Sequence, residues 1–192
     1  MSIHIPNILL AIPRNPVVAV GLPLALGFLS GTKGTSKVSN SNWYSELKAP
    51  PGRPRREVFP FAWTILYLSM GYASHVAVKA LDNATLQINH DDLSLGIALY
   101  YAQLGMNFLW TPLFFEHRQA CKDSSNTENM GLALVDSVLM TATTWYMTKL
   151  LDRPTNAKAT YFLLPYCAWL GFATYLNAGT WWLNRNGKAK RF

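Results

Sequence analysis

Gln103, Asn107 and Trp110 recur at spacings of four and three inside an otherwise apolar stretch. That rhythm puts two amides and an indole on one face of a helix. Two further apolar stretches repeat the theme, one with Phe59, Trp63, Tyr67 and Met70 on a face, the other with Tyr166, Trp169, Ala173 and Asn177. Amide and indole N–H groups can hold a carbonyl or carboxylate edge. Turned inward, three such faces would line a mostly apolar pocket with a few fixed donors, suited to a flat, apolar ligand. The same residues have a plainer use. Amides in membrane helices hydrogen-bond neighbouring helices, and Trp and Tyr near span ends anchor at the interface. Spacing leaves both readings open.

Other reactive groups are isolated. Asp136 is the only carboxylate well inside an apolar run, and a lone acid serves a helix contact more readily than a proton relay. His75 is a weak candidate for a haem axial ligand, with no second ligand beside it. Cys121 and Cys167 lie far apart without metal-ligand spacing. No Ser-His-Asp, Cys-His or metal cluster stands out, so the sequence offers no catalytic constellation.

The elements that must carry these faces are helices long enough to cross a bilayer. The chain of 192 residues is 50% hydrophobic and only 14% charged, against about 25% in soluble domains. The charges are bunched between apolar runs, as in a small polytopic membrane protein. The expected fold is therefore all-α, a five-helix transmembrane bundle in one domain (16–184). Its helices run over about 16–31, 58–81, 93–115, 130–151 and 159–184. Residues 1–15 form an irregular or interfacial lead and 185–192 a basic tail. Residues 32–57 form a polar loop stiffened by Pro50, Pro51 and Pro54, lying over the mouth of the second helix with Trp43 and Tyr44 at its head.

The net charge of +7 comes without a nucleic-acid-reading motif, so no nucleic-acid partner is expected. It reflects loop charges instead. Five spans place Arg14, Lys79, Lys149, Arg153 and Lys158 on one side and the remaining Lys and Arg on the other. The basic side, with the 32–57 loop and the C-terminus, is then cytosolic. No cleavable signal segment is visible.

The ordered motifs resemble the translocator protein family, also called the tryptophan-rich sensory protein or peripheral-type benzodiazepine receptor family. The resemblance runs through Trp43-Tyr44-x-x-Leu47, Trp63-Thr64-x-Leu66-Tyr67-x-x-Met70-Gly71, and Tyr100-x-x-Gln103-Leu104-x-x-Asn107-x-x-Trp110-x-Pro112. It continues through Ala133-Leu134-x-Asp136 and Leu164-Pro165-Tyr166-x-x-Trp169-x-x-Phe172-Ala173-Thr174-x-Leu176-Asn177. It covers about Trp43 to Asn184. It implies a receptor- or transporter-like membrane protein binding tetrapyrroles (protoporphyrin, haem), sterols and benzodiazepine-type drugs between its helices, under the first loop. By position, Trp63 and Asn107 match residues that hold the ligand's polar group, Tyr44 the loop, Trp110 and Trp169 aromatic walls, and Ala173 a small residue beside the ligand. Trp43, Tyr67 and Gln103 complete the expected ligand set.

No obligatory cofactor is implied; porphyrin or haem would be a ligand. The partners implied are small molecules, membrane lipids and a second copy of the chain. The location implied is the outer mitochondrial membrane, with the endoplasmic reticulum and secretory membranes as the alternative. Two rival functions remain: a porphyrin-degrading enzyme using Trp63 and Trp169 as electron or radical donors, and a ligand-regulated scaffold or stress sensor. The chain departs from relatives at Gly52, where many have a second loop tryptophan, and at Phe61-Ala62 and Leu132. It also departs at Ala178-Gly179-Thr180-Trp181-Trp182, which lacks the tyrosine and basic residue of the animal cholesterol motif.

Overall fold

The computed structural model describes residues 4–30, 47–55, 57–115 and 126–185, with side chains left aside at 111–115 and 126–129. Among the described residues the chain is all-helical: α1 (Asn7–Arg14), α2 (Pro16–Ser30), α3 (Val58–Asp82), α4 (Gln87–Phe115), α5 (Asn126–Asp152) and α6 (Lys158–Asn184). There are thus six helices where five spans and an irregular lead were expected. The other elements overlap the expected ones closely, except that α4 begins at Gln87 rather than 93, its first turn being polar.

Helices α3, α6, α5 and α4 form a closed ring, each packed on the next, with α4 returning to α3. Helix α2 lies against α3 and touches α4, and α1 crosses onto α3. Two prolines explain how the first helices dock. Pro13 has no N–H for the carbonyl of Leu9, and that carbonyl accepts instead from the Tyr101 hydroxyl on α4 at 2.6 Å. Pro23 likewise frees the carbonyl of Ala19. Gly71 of α3 sits directly beneath it, where an added Cβ would lie 2.6 Å from that oxygen. The freed carbonyls thus become docking points. At the far end of α3, Arg14 clamps Asp82 through two hydrogen bonds of 3.0 and 2.8 Å.

The bundle is apolar outside and partly polar inside. Gln103 and Thr144 are fully buried, while Leu139, Val135, Trp145 and Tyr146 are about half exposed on the outer face of α5. Water would favour the reverse; hydrocarbon favours this one. The inward polar groups also dilute each helix. Among the described residues no single helix is long and apolar enough to cross a membrane; the pair α1–α2 passes that test together but is bent by 103°.

Candidate functional site

The three faces marked by their spacing meet inside the bundle, among α3, α4 and α6. Tyr67 on α3 donates its hydroxyl to Asn107 Oδ1 on α4 at 2.8 Å. Asn107 Nδ2 donates to the hydroxyl of Tyr166 on α6 at 3.0 Å. That hydroxyl in turn donates to Gln103 Oε1 at 2.7 Å, and Gln103 Nε2 reaches Met70 Sδ at 3.7 Å. A continuous relay of five residues therefore ties three helices together at a depth where Gln103, Asn107 and Tyr166 are all buried. Each hydrogen bond replaces one lost to solvent, and such groups are costly when left alone.

An aromatic set wraps this relay. The Trp63 ring lies 5.5 Å from that of Tyr67 and meets Tyr166 edge-on at 6.4 Å. One turn along α6, Trp169 packs edge-on to Phe59 at 5.9 Å and against Phe172 at 5.8 Å. Tyr67 also fills the space beside Gly27 of α2, where any Cβ would collide with its ring. One polar atom in this set has no partner among the described residues: the buried indole Nε1 of Trp169. A second such atom, Asp136 Oδ2, lies on α5. There the α5–α6 seam is stitched by Asn177 Nδ2 to Ser137 Oγ at 2.7 Å and by Thr141 to Thr174 at 2.9 Å.

The structure thus brings Trp63, Tyr67, Gln103, Asn107 and Trp169 together. Trp110 is half-buried on the Asn107 face, and Ala173 half-buried one turn beyond Trp169. Trp43 and Tyr44 lie outside the described residues. His75 sits elsewhere, two turns along α3 from Tyr67, and donates its Nδ1–H to the carbonyl of Pro13 at 2.8 Å. The residue that spacing undervalued is Tyr166. It stood on the right face, but the hydroxyl that makes it the hub could be found only by asking which side chain both donates and accepts.

The end of the first loop is fastened to the C-terminal part of α6. Lys48 exchanges two backbone hydrogen bonds with the Asn184 amide, at 3.2 and 2.8 Å. Pro50 is buried against Gly179, and the Tyr175 hydroxyl donates to the carbonyl of Pro51. Gly52 then turns the chain with φ +86°, a left-handed conformation that suits glycine, and the backbone enters α3.

Comparison with known proteins bears on the whole of this arrangement. The TspO/MBR family model matches residues 19–183. The chain is 37% identical over 174 residues to the translocator protein homolog of Schizosaccharomyces pombe, covering 91% of this chain and 94% of that protein. It is 33% identical over 182 residues to the translocator protein of Bos taurus, covering 95% and 98%. It is 30% identical over 170 residues to the tryptophan-rich sensory protein of Cereibacter sphaeroides, covering 88% and 89%. With the match running from within α2 almost to the end of α6, the chain belongs to the TspO/MBR family of membrane proteins.

Proposed function

We propose that this protein is a non-enzymatic receptor- or transporter-like protein that binds a tetrapyrrole, protoporphyrin or haem, among Trp63, Tyr67, Gln103, Asn107 and Trp169. The observation that carries this reading is the unpartnered indole Nε1 of Trp169, buried in an aromatic set one turn from the Tyr166 relay. A buried donor without an acceptor is costly, and a ligand carboxylate or carbonyl reaching it would remove that cost. Asn107 supports the same reading: its Nδ2 carries two N–H groups, and the relay engages one of them. Trp63, Phe59 and Phe172 offer the ring surfaces on which a flat macrocycle would lie. A sterol or a benzodiazepine-type drug would use the same apolar walls. The stretch Ala178–Trp182 lacks the tyrosine and cation of the animal cholesterol motif, which ranks sterol behind porphyrin.

The proposed location is the outer mitochondrial membrane, and a homodimer is the proposed assembly. The test is a tryptophan-fluorescence titration of the purified protein with protoporphyrin in the dark, free tryptophan controlling for absorbed emission. Saturable quenching weakened by Trp63→Phe and by Asn107→Ala supports the site. Equal quenching in all three proteins overturns it. Absorbance followed afterwards under light separates binding from degradation: loss of porphyrin that depends on Trp63 would make the protein an enzyme.

A further inference from the structure

At the opposite end of the bundle from the loop lies a cavity of about 450 Å³. It is framed by the last turns of α3, the α3–α4 connection and the α5–α6 turn. Its polar lining comes chiefly from His75, Lys79, Asn83, Asn89, Asn156 and Lys158, and no carboxylate lines it. Of the five basic residues expected on this side, two therefore converge on one cavity. Arg14 is spoken for by Asp82. Asp91 accepts from the Gln87 amide and Asp152 from the Thr160 hydroxyl, neutral donors that leave both carboxylates charged, but neither they nor Asp92 line the cavity. Among the described residues neither lysine has an ion-pair partner. Two like charges in one recess raise its positive potential and favour a bound anion.

The cavity also has an apolar flank. Tyr72, which lines it, packs edge-on to Phe162 at 4.8 Å, and both rings are partly exposed on the outer surface of the α3–α6 seam. Aromatic rings at a bundle end mark the level of lipid headgroups. An anion seated between Lys79 and Lys158 would be able to continue into an acyl chain past Tyr72 and Phe162.

We propose that this cavity binds a phosphate group, with the headgroup of an anionic phospholipid as its source. Phosphate matches the lining because lysine ammonium groups supply point charges and the asparagine amides supply neutral donors to its oxygens. The site is distinct from the Trp63–Trp169 region and does not depend on the function proposed for it.

The test is thermal unfolding of the full chain in neutral detergent with added dimyristoyl phosphatidate, dimyristoyl phosphatidylcholine or inorganic phosphate. The variants are Lys79→Gln plus Lys158→Gln, the charge-keeping Lys79→Arg plus Lys158→Arg, and Lys149→Gln, an exposed lysine outside the cavity. The expected result is a saturable rise of about 5 °C or more with phosphatidate. It is absent with phosphatidylcholine, lost in the double glutamine variant and kept in the other two. The same pattern with inorganic phosphate would uphold the anion site and assign it to a free anion instead of a lipid. A rise of equal size in all variants, or no rise in the wild type, overturns the proposal. If the double glutamine variant does not fold, the single variants Lys79→Gln and Lys158→Gln read the same comparison.

Discussion

Tyr166 and Gln103, 63 residues apart in the chain, share a hydrogen bond of 2.7 Å in which neither side chain reaches the surface. Through it α6 and α4 are held together by one hydroxyl that also receives Asn107 Nδ2. Tyr166→Phe keeps the ring and removes only the oxygen. It strands Gln103 Oε1 and an Asn107 N–H together, so the expected cost is about 1–3 kcal/mol. Tyr67→Phe strands only Asn107 Oδ1, at the end of the relay, and should cost less, about 0.5–1.5 kcal/mol. Unfolding of both variants in detergent checks the order. Equal losses would mean that Tyr166 is not the hub.

The difference between a face and a hub also separates what the sequence made legible from what it did not. Helical spacing told which residues of α3, α4 and α6 share a side, because a 3.6-residue repeat fixes that; that these sides turn inward comes from the structure. Spacing could not say that Tyr67 and Tyr166 would bracket Asn107, since that depends on the depth at which three helices cross. Of the two readings left for the lead, irregular or interfacial, the helix α1 removes the first. Its prolines do not interrupt it: Pro6 precedes α1 and Pro13 falls in its last turn, and the carbonyl freed by Pro13 gains a partner on α4. The departure at Gly52 acquires a backbone meaning: φ +86° is a turn that a tryptophan would enter only under strain. Of the expected lid, Trp43 and Tyr44 fall outside the described residues.

Gly71 is predicted to be the least replaceable small residue of α3. A Cβ there would meet backbone atoms of α2, Ala19 O at 2.6 Å and Val20 Cα at 2.7 Å, and backbone cannot rotate out of the way. Gly71→Ala should force α2 outward and cost about 1–3 kcal/mol. Gly21→Ala, with nothing within 4 Å of its Cβ, should be neutral or slightly stabilising through helix propensity. The pair is compared by unfolding midpoint; a neutral Gly71→Ala would show that α2 is free to move.

The Arg14–Asp82 clamp predicts a pH dependence with a definite sign. The Arg14 guanidinium, hydrogen-bonded to Asp82, holds that carboxyl below its usual range. A depressed folded-state pKa means that the contribution is present above the unfolded value of about 3.9 and is lost as pH falls through the folded one. Unfolding of wild type and Asp82→Asn should therefore differ at pH 6 and converge as pH falls through the depressed folded-state pKa of Asp82. Because both partners are exposed, 1 M salt should shrink the difference at pH 6. A gap that persists in acid would assign the effect to something other than this charge.

Trp169→Phe separates the two roles that a buried tryptophan can have. If the indole N–H earns nothing in the free protein, its removal leaves no partner stranded, and the substitution loses only part of the ring packing on Phe59 and Phe172. The stability change should then stay small, under about 1.5 kcal/mol. Protoporphyrin affinity, by contrast, should fall by about 2- to 10-fold, the worth of one hydrogen bond made only in the complex. Unchanged affinity would remove Trp169 from the ligand's polar contacts. A large loss of stability with intact affinity would make Trp169 a packing residue whose N–H has found an acceptor within the bundle.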